Sequence, residues 1–445
     1  MIKKYTGYIN TPEAIWFSQI PNSWSCTKMR ELFSERTTKV SDKEFQPLSV
    51  GKMGIVPQLE TAVKTDNGDN RKLICEGDFA INSRSDRKGA SGISEYTGSA
   101  SLIITVLKPF ESLNRRYYHY LLRSNGFVEE FYRNGKGLVS DLWTTKWQEM
   151  KNIFIPVPPK DEQDQIVKYL DWKTTEIDRF VHQKKKQIKR LKELRKNIIC
   201  HYTHNGLTKN CRKYQSEYPW IDGVPEGWDE TRLKYVLQKL NHERRPQDEL
   251  LICSNKGKVF FRGDSKLGLV AEDDKIYQGV RKGDLLIHGM DTWHGAIAIS
   301  DYDGMCTGVV HVCDTNENKR FIMYYLQSLA FKKVYKKITN GVRENTSDFR
   351  SWDKAGQINL LLPPRREQDE IVKYIDKKCS DIEQLISSKI IEIDLLEELR
   401  TKIIADVVTG QIDVRDVVIP DSSYEEDVDT DEIEDDAEEI EESEE

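Results

Sequence analysis

The side chains best suited to chemistry lie in two polar loops, each following a short apolar run, GDFAI from Gly77 and GDLLI from Gly283. In the first loop Asn82, Ser83, Arg84, Arg87 and Lys88 combine amide, hydroxyl, guanidinium and ammonium groups, the set that bonds base edges and phosphate oxygens. His288, Asp291, Trp293 and His294 hold the equivalent place in the second. Segments after two later amphipathic stretches add Arg133, Lys136, Arg343, Asn345 and Arg350. Any one of these suits a solvated surface position equally well; as a group they make a candidate DNA-facing surface.

Catalytic patterns fare worse. No Gly-x-x-x-x-Gly-Lys-Ser/Thr loop exists to cradle ATP, and no Asn/Asp-Pro-Pro-Tyr/Phe exists for amino methylation. A carboxylate-metal nuclease needs acids and a lysine converging on Mg²⁺, and the repeated suggestion is Asp171-x-Lys173 with Asp376-x-Lys378. These fall on helical segments, where solvated or register-setting charge explains them better. Cys200, His201, His204 and Cys211 have zinc-ligand types at nearly suitable spacing, but Ala405 and Asp406 stand where a second copy of the segment would repeat the first two. Neither His119 and His311 nor Cys253, Cys306 and Cys313 form a nucleophile constellation. The expectation is no catalytic site, no metal and no cofactor bound by this chain.

The 445 residues, 38% hydrophobic and 32% charged, suffice for two or three domains with proper cores. No run of eighteen apolar residues exists and MIKKYTGYIN lacks a signal peptide's apolar stretch, so a cytoplasmic location with no membrane association is expected. Eight dispersed cysteines read as reduced thiols. The net charge of −7 averages unlike parts: residues 421–445 carry sixteen acids and no Lys or Arg, which leaves residues 1–420 at +9. Such a tail repels itself and has little apolar surface to offset ordering, so disorder is expected there, with solubility as its role and competition for the body's basic surface as a second.

The chain is written twice. PPKDEQDQIVKYLD from Pro158 recurs as PPRREQDEIVKYID from Pro363, with ten of fourteen positions identical at an offset of 205. WFSQIPNSW from Trp16 matches WIDGVPEGW from Trp220, and Tyr96, Gly98 and Val106 match Tyr302, Gly304 and Val312. Each copy therefore has a variable block, with short alternating strands and a late amphipathic helix, followed by a better-matched block. The expected divisions are variable domains at 1–157 and 215–362, long helices at 158–207 and 363–412, and the tail at 421–445.

Both constant blocks read as long helices. Each starts after Pro-Pro, has acids in its first turn, and meets no further Gly or Pro until Gly206 or Gly410, a rod of roughly 65 Å. A heptad seam takes Ile166, Leu170, Ile177, Phe180, Leu191, Leu194 and Ile198 in copy one, and Ile371, Ile375, Ile382, Leu385, Leu396, Leu399 and Ile403 in copy two. Lys173 and Lys378, Lys184 and Lys389, and Gln187 and Glu392 interrupt the pattern at matching places. Residues 158–214 carry 15 basic and 7 acidic groups, residues 363–420 carry 9 and 13, so the rods attract. One antiparallel intramolecular coiled coil is the simplest model. Val167, Val181 and Ile188, with Val372, Ile386 and Ile393, widen the stripe beyond a two-stranded seam, so either the variable domains or a partner's helices cover it. Two similar rods would offer two similar docking sites in a pseudosymmetric complex.

VPPKDEQDQIV at Val157 and LPPRREQDEIV at Leu362, each preceded by IPNSW at Ile20 or VPEGW at Val224, resemble the signature of the specificity (S) subunit of type I restriction-modification systems. The resemblance covers residues 1 to about 412 and leaves out the acidic tail. It implies an α+β chain in which two pseudo-repeated target recognition domains are separated by two long helices forming an antiparallel coiled coil. It further implies that each domain reads one half of a bipartite site on double-stranded DNA, while the helices set the spacer and hold two modification (methyltransferase) subunits. Restriction (translocase and nuclease) subunits would complete the assembly. S-adenosylmethionine, ATP and Mg²⁺ would be used by those partners, with an adenine flipped out for methylation. The competing expectations are a stand-alone coiled-coil DNA-binding protein of regulatory or architectural kind and a nuclease with an unrecognised metal site.

Overall fold

The computed structural model describes residues 3–58, 68–110, 113–137, 143–209, 211–255, 257–263, 277–338 and 349–420. Arg343, Asn345 and the acidic tail lie outside the described residues. Two compact units emerge, one from residues 3–184 with 391–420 and the other from 185–390. Each unit thus takes its own variable block, half of one long helix and half of the other, so the compact units do not coincide with the sequence blocks.

The first unit is built on a four-stranded antiparallel sheet from β1 (Phe33–Glu35), β2 (Phe79–Asn82), β3 (Ser91–Ile93) and β4 (Ile104–Pro109), in the order β3-β2-β4-β1. The second repeats this with β5 (Gln238–Lys239), β6 (Leu285–His288), β7 (Ile297–Ile299) and β8 (Val310–Asp314), in the order β7-β6-β8-β5. Val106 pairs with Ala80 and, equivalently, Val312 with Leu286. Alternation along the strands divides their side chains between two clusters. Phe79, Ile81 and Leu107 pack with Tyr117, Tyr118, Leu121 and Leu122 of α1 (Arg115–Arg123), while Ala80, Ile104 and Val106 join Leu48 and Ile74 on the other face. In the first unit α1 is followed by α2 (Asn125–Arg133), and in the second Leu285, Ile287 and Cys313 meet the helix Lys319–Phe331 (α3), which is followed by α4 (Val334–Ile338).

The long helices are Lys160–Asn205 and Arg365–Val408. Each ends at a left-handed glycine, Gly206 (φ +69°) and Gly410 (φ +73°), because only a residue without Cβ takes that conformation cheaply. These glycines also admit a close neighbour. A Cβ on Gly410 would stand 2.4 Å from Pro21 and 3.3 Å from Trp24; one on Gly206 would stand 2.7 Å from Glu367 and 3.1 Å from Trp228. The tryptophans that close IPNSW and VPEGW therefore seat on helix ends, and Trp24 takes the end belonging to the other copy. The first unit is consequently closed by residues from early and late in the sequence, with the Asp413 N–H donating to the Lys3 carbonyl and Tyr117 Oη donating to the Val408 carbonyl.

Within each unit the two helical halves run antiparallel. In the first, Lys184 Nζ lies 2.6 Å from Glu392 and Arg400 Nε 3.5 Å from Asp178. In the second, Arg195 lies 3.9 Å from Glu383 and Tyr202 Oη donates to Tyr374 Oη at 3.2 Å. Half-exposed pairs of this kind add little stability but favour this alignment over others. Ile166, Leu170, Ile177, Ile371, Ile375 and Ile382 are buried, but Phe180, Leu194, Leu385 and Leu399 are about half exposed. The expected seam is corrected there: two helices cover one stripe, and away from the variable domains nothing among the described residues of the unit covers the rest.

The starts of the helices are latched to the sheet-packed helices by matching bonds. Asn114 caps α1, its N–H donating to Gln163 Oε1 and its amide to Asp164; Asn318 caps α3 and bonds Gln368 and Asp369 in the same way. Asp171 accepts from Arg116 and Tyr120, and Asp376 from Arg320 and Tyr324. The repeated Asp-x-Lys aspartates thus hold each variable domain to its rod, and the EQD of the signature supplies the remaining latch.

Gly206→Ala should lower unfolding stability by about 1–2 kcal/mol, the cost of a Cβ in left-handed backbone, measured by urea titration; an unchanged midpoint would contradict the seating. A pH effect follows from His204, which bonds Ser328 Oγ at 2.9 Å and stacks near Tyr325, and whose pKa burial pushes down to about 3. The unfolded chain then binds a proton that the folded chain refuses. Stability should fall as pH drops below about 6.5, and His204→Gln should flatten that slope between about 6.5 and 4. Equal slopes in both proteins would refute this assignment.

Candidate nucleic-acid interface

The sheet delivers the candidate residues to one end of β2 and one end of β6. Asn82 is the last residue of β2 and is buried, its Oδ1 accepting the Arg84 N–H at 3.1 Å. Ser83 is buried and donates to the Ile103 carbonyl. These two shape the loop, and the groups beyond them face outward. Arg84 forms a bridge with Thr144, as does Lys136, and the Thr145 N–H donates to the Ser83 carbonyl at 2.9 Å. The structure thereby gathers Arg84, Arg87, Lys88, Arg133 and Lys136 from two separate segments into one patch.

Every cation in that patch already has an acidic neighbour. Arg84 and Arg87 lie 3.4 and 3.9 Å from Asp86, and Lys88 lies 2.6 Å from Glu129 and over the Tyr132 ring. Arg133 grips the buried Glu130 with two bonds of 2.6 and 2.8 Å, and Lys136 lies 3.5 Å from Glu149. A phosphate approaching this surface exchanges one anion for another. The loosest cations, Arg87 at 69% and Lys136 at 80% side-chain exposure, can make that exchange most cheaply.

The second unit's loop is more aromatic. His288 is buried; its Nδ1 accepts the Asp291 N–H at 3.1 Å and stands 3.2 Å from the Asp291 carboxylate. Burial lowers its pKa against the pull of Asp291, so the ring is neutral at pH 7 and the contact is no ion pair. His288 and Asp291 line a cavity of about 310 Å³ with Cys253, Thr307 and Val310. Beyond it Trp293 and His294 lie nearly parallel, 6.1 Å apart, and Lys336 of α4 sits 5.1 Å from the Trp293 ring. Gly289 donates to the Val309 carbonyl and accepts from the Phe349 N–H, which brings the exposed Arg350 beside this loop. A base or phosphate would therefore meet His294, Trp293, Lys336 and Arg350 before His288.

Sequence reasoning missed Thr144, Tyr132 and Lys336. Thr144 had no signal, because its part is a backbone bridge; Lys336 lay in the helix whose following loop drew attention instead. The expected partner-facing residues divide as well. Val167 and Val372 are buried in the cores of their own units, packed under the variable domains, and are corrected from docking to structural positions. Val181, Ile188, Ile386 and Ile393 are partly exposed, and Phe180 and Leu385, at corresponding positions, are about half exposed.

Cys200, His311, Cys306 and Cys313 serve packing. Cys200 Sγ donates to the Ser328 carbonyl beside His204, and His311 Nε2 lies 2.6 Å from the Phe349 carbonyl. Burial raises the Cys306 and Cys313 thiols to about 12, well away from thiolate chemistry at neutral pH. Among the described residues no helix is long and apolar enough to cross a membrane.

A family model, the type I restriction modification DNA specificity domain, matches residues 21–190. The putative type I restriction enzyme MjaX specificity subunit of Methanocaldococcus jannaschii is 24% identical over 422 residues, 89% of this chain and 91% of that protein. The MjaVIII specificity subunit of the same organism is 26% identical over 290 residues, 60% of this chain and 64% of that protein. Among solved structures, a chain described in terms of complex assembly and conformational transition of the type I R-M system aligns with a TM-score of 0.63 at 14% identity, over 88% of this chain and 99% of that one, a likeness of fold. The matched domain starts at the proline of IPNSW and ends inside the first long helix, and the second copy repeats its sheet order and latches. The chain is therefore similar to the specificity subunits of type I restriction-modification systems, with residues 21–190 matching their DNA specificity domain.

Proposed function

We propose that each unit reads one half of a bipartite site on double-stranded DNA, and that the paired helices dock methyltransferase subunits and set the spacer between the halves. The observation that carries this reading is a common sheet order bearing unlike loops: a cationic one after β2 and an aromatic, histidine-containing one after β6. Like scaffolds hold unlike readers in corresponding places. In the first unit Arg87 and Lys136 supply phosphate contacts, with Arg84 and Lys88 nearer the base edges. In the second, Trp293 and His294 offer stacking and hydrogen-bonding surface, with Lys336 and Arg350 for the backbone.

The exposed apolar groups support docking. Phe180 in the first unit and Leu385 in the second occupy equivalent helix positions, as do Leu399 and Leu194, so each unit presents a similar face to one copy of the same partner. S-adenosylmethionine is then bound by the methyltransferase subunits, and ATP and Mg²⁺ by restriction subunits, while this chain contributes placement of the target adenine.

Phosphate contacts predict a salt signature. In complex with its methyltransferase partner, Arg87→Ala and Lys136→Ala should each reduce the slope of log affinity against log salt by about one, with sequence preference kept. Trp293→Ala should weaken binding and relax preference at one half-site alone. Loss of preference at both half-sites from Trp293→Ala, or unchanged slopes in both lysine and arginine variants, would refute the assignment.

A further inference from the structure

A second basic feature lies in the first unit, where α1 faces the last turns of the second long helix. A cavity of about 290 Å³ opens there, lined by Arg116, His119 and Arg123 from one face of α1 and by Arg400 and Thr401 opposite. Among the described residues no acidic side chain lines it. Arg116 is held by Asp171 and Arg400 approaches Asp178, but Arg123 has neither: its described partners are His119 Nε2 at 2.9 Å and the Lys52 carbonyl. Burial and the facing Arg400 both work against the charge of Arg123.

His119 brings no counter-charge. Its Nε2 lies 2.9 Å from Arg123 Nη1 and its Nδ1 3.3 Å from the Ile93 N–H, and burial with the neighbouring Arg123 and Arg116 lowers its pKa to about 4, so the ring is neutral at pH 7. An oxyanion in the cavity would meet Arg123 without displacing a carboxylate.

The repeat does not require this arrangement. In the second unit Arg320 and Arg195 stand where Arg116 and Arg400 stand, but Met323 replaces His119 and Gln327 replaces Arg123. Gln327 is buried and donates to the Ile297 carbonyl, a closed and neutral solution. The extra guanidinium belongs to the first unit alone, and Pro420, the residue that precedes the acidic segment in sequence, lies in that unit too.

We propose that the cavity formed by Arg116, Arg123 and Arg400 is an oxyanion site whose occupant is a carboxylate of residues 421–445 of the same chain. Those residues hold sixteen carboxylates and no cation. Reach is assured by chain length. Ile404, which lines the cavity, is sixteen residues from Pro420, at most about 58 Å of chain, whereas 25 residues extend up to about 90 Å. Tethering holds the carboxylates near the site at an effective concentration of about millimolar, far above any small anion of equal intrinsic affinity and lower abundance. The inference rests on charge and geometry and stands independently of the DNA reading.

The test uses the full chain with every Asp and Glu of 421–445 changed to the amide, titrated calorimetrically at low salt with a synthetic peptide of residues 421–445. This chain should bind the peptide, and the unaltered chain should bind it at least tenfold more weakly, because its own segment occupies the site. Adding Arg123→Gln, the residue the second unit carries at this place, should weaken peptide binding at least tenfold, and Arg400→Gln should act in the same direction if the first variant folds poorly. Lys39→Gln, an exposed charge elsewhere in the unit, should change little. No measurable peptide binding, equal binding by the Arg123→Gln and Arg400→Gln chains, or an equal loss from Lys39→Gln would overturn the proposal, the last by showing only diffuse attraction to the basic body.

Discussion

The architecture depends on one constraint: each variable domain is held at two places, by the start of one long helix and by the end of the other. At the start, Asn114 with Gln163 and Asp164, and Arg116 and Tyr120 with Asp171, tie the sheet-packed helix to the rod. At the end, Trp24 seats on Gly410, as Trp228 seats on Gly206. Neither copy of the repeat supplies both attachments for itself. A complete unit therefore needs both long helices, and in the first unit the Asp413 N–H adds a bond to the Lys3 carbonyl.

This arrangement separates what must stay constant from what is free to vary. The latches use residues at helix starts and caps, and none belongs to the loops after β2 and β6. Those loops change their chemistry without disturbing the attachments, from Arg84, Arg87 and Lys88 in one unit to Trp293 and His294 in the other. The antiparallel pairing of the rods acts on the same separation, since it fixes which helix end each domain receives.

Much of this was legible in the sequence. The duplicated signature, the Pro-Pro starts and the Gly206 and Gly410 stops marked the long helices, because propensity and capping are local properties. Burial is not local. Asn82, Ser83 and His288 have the types expected of contact residues, yet they sit inside their loops; Val167 and Val372 have the type expected of a docking stripe, yet the variable domains cover them. Heptad periodicity placed Phe180 and Leu385 on a seam, but periodicity counts positions on one helix and not the neighbours available to fill the opposite side. The antiparallel pairing of the rods was expected from their charges, but the division of each rod between two compact units was not, since it follows from contacts between distant residues such as Lys184 with Glu392.

The central claim, two independent readers on a shared helical frame, is tested most directly by mapping adenine methylation across a genome in cells that express this chain with the methyltransferase subunit proposed as its partner. The map would be repeated after residues 1–157 are exchanged for the corresponding block of a known type I specificity subunit. A split motif of two unrelated halves, of which the exchange alters one and leaves the other and the spacer intact, is the predicted result. A change in both halves, or a continuous motif in either map, would contradict the account.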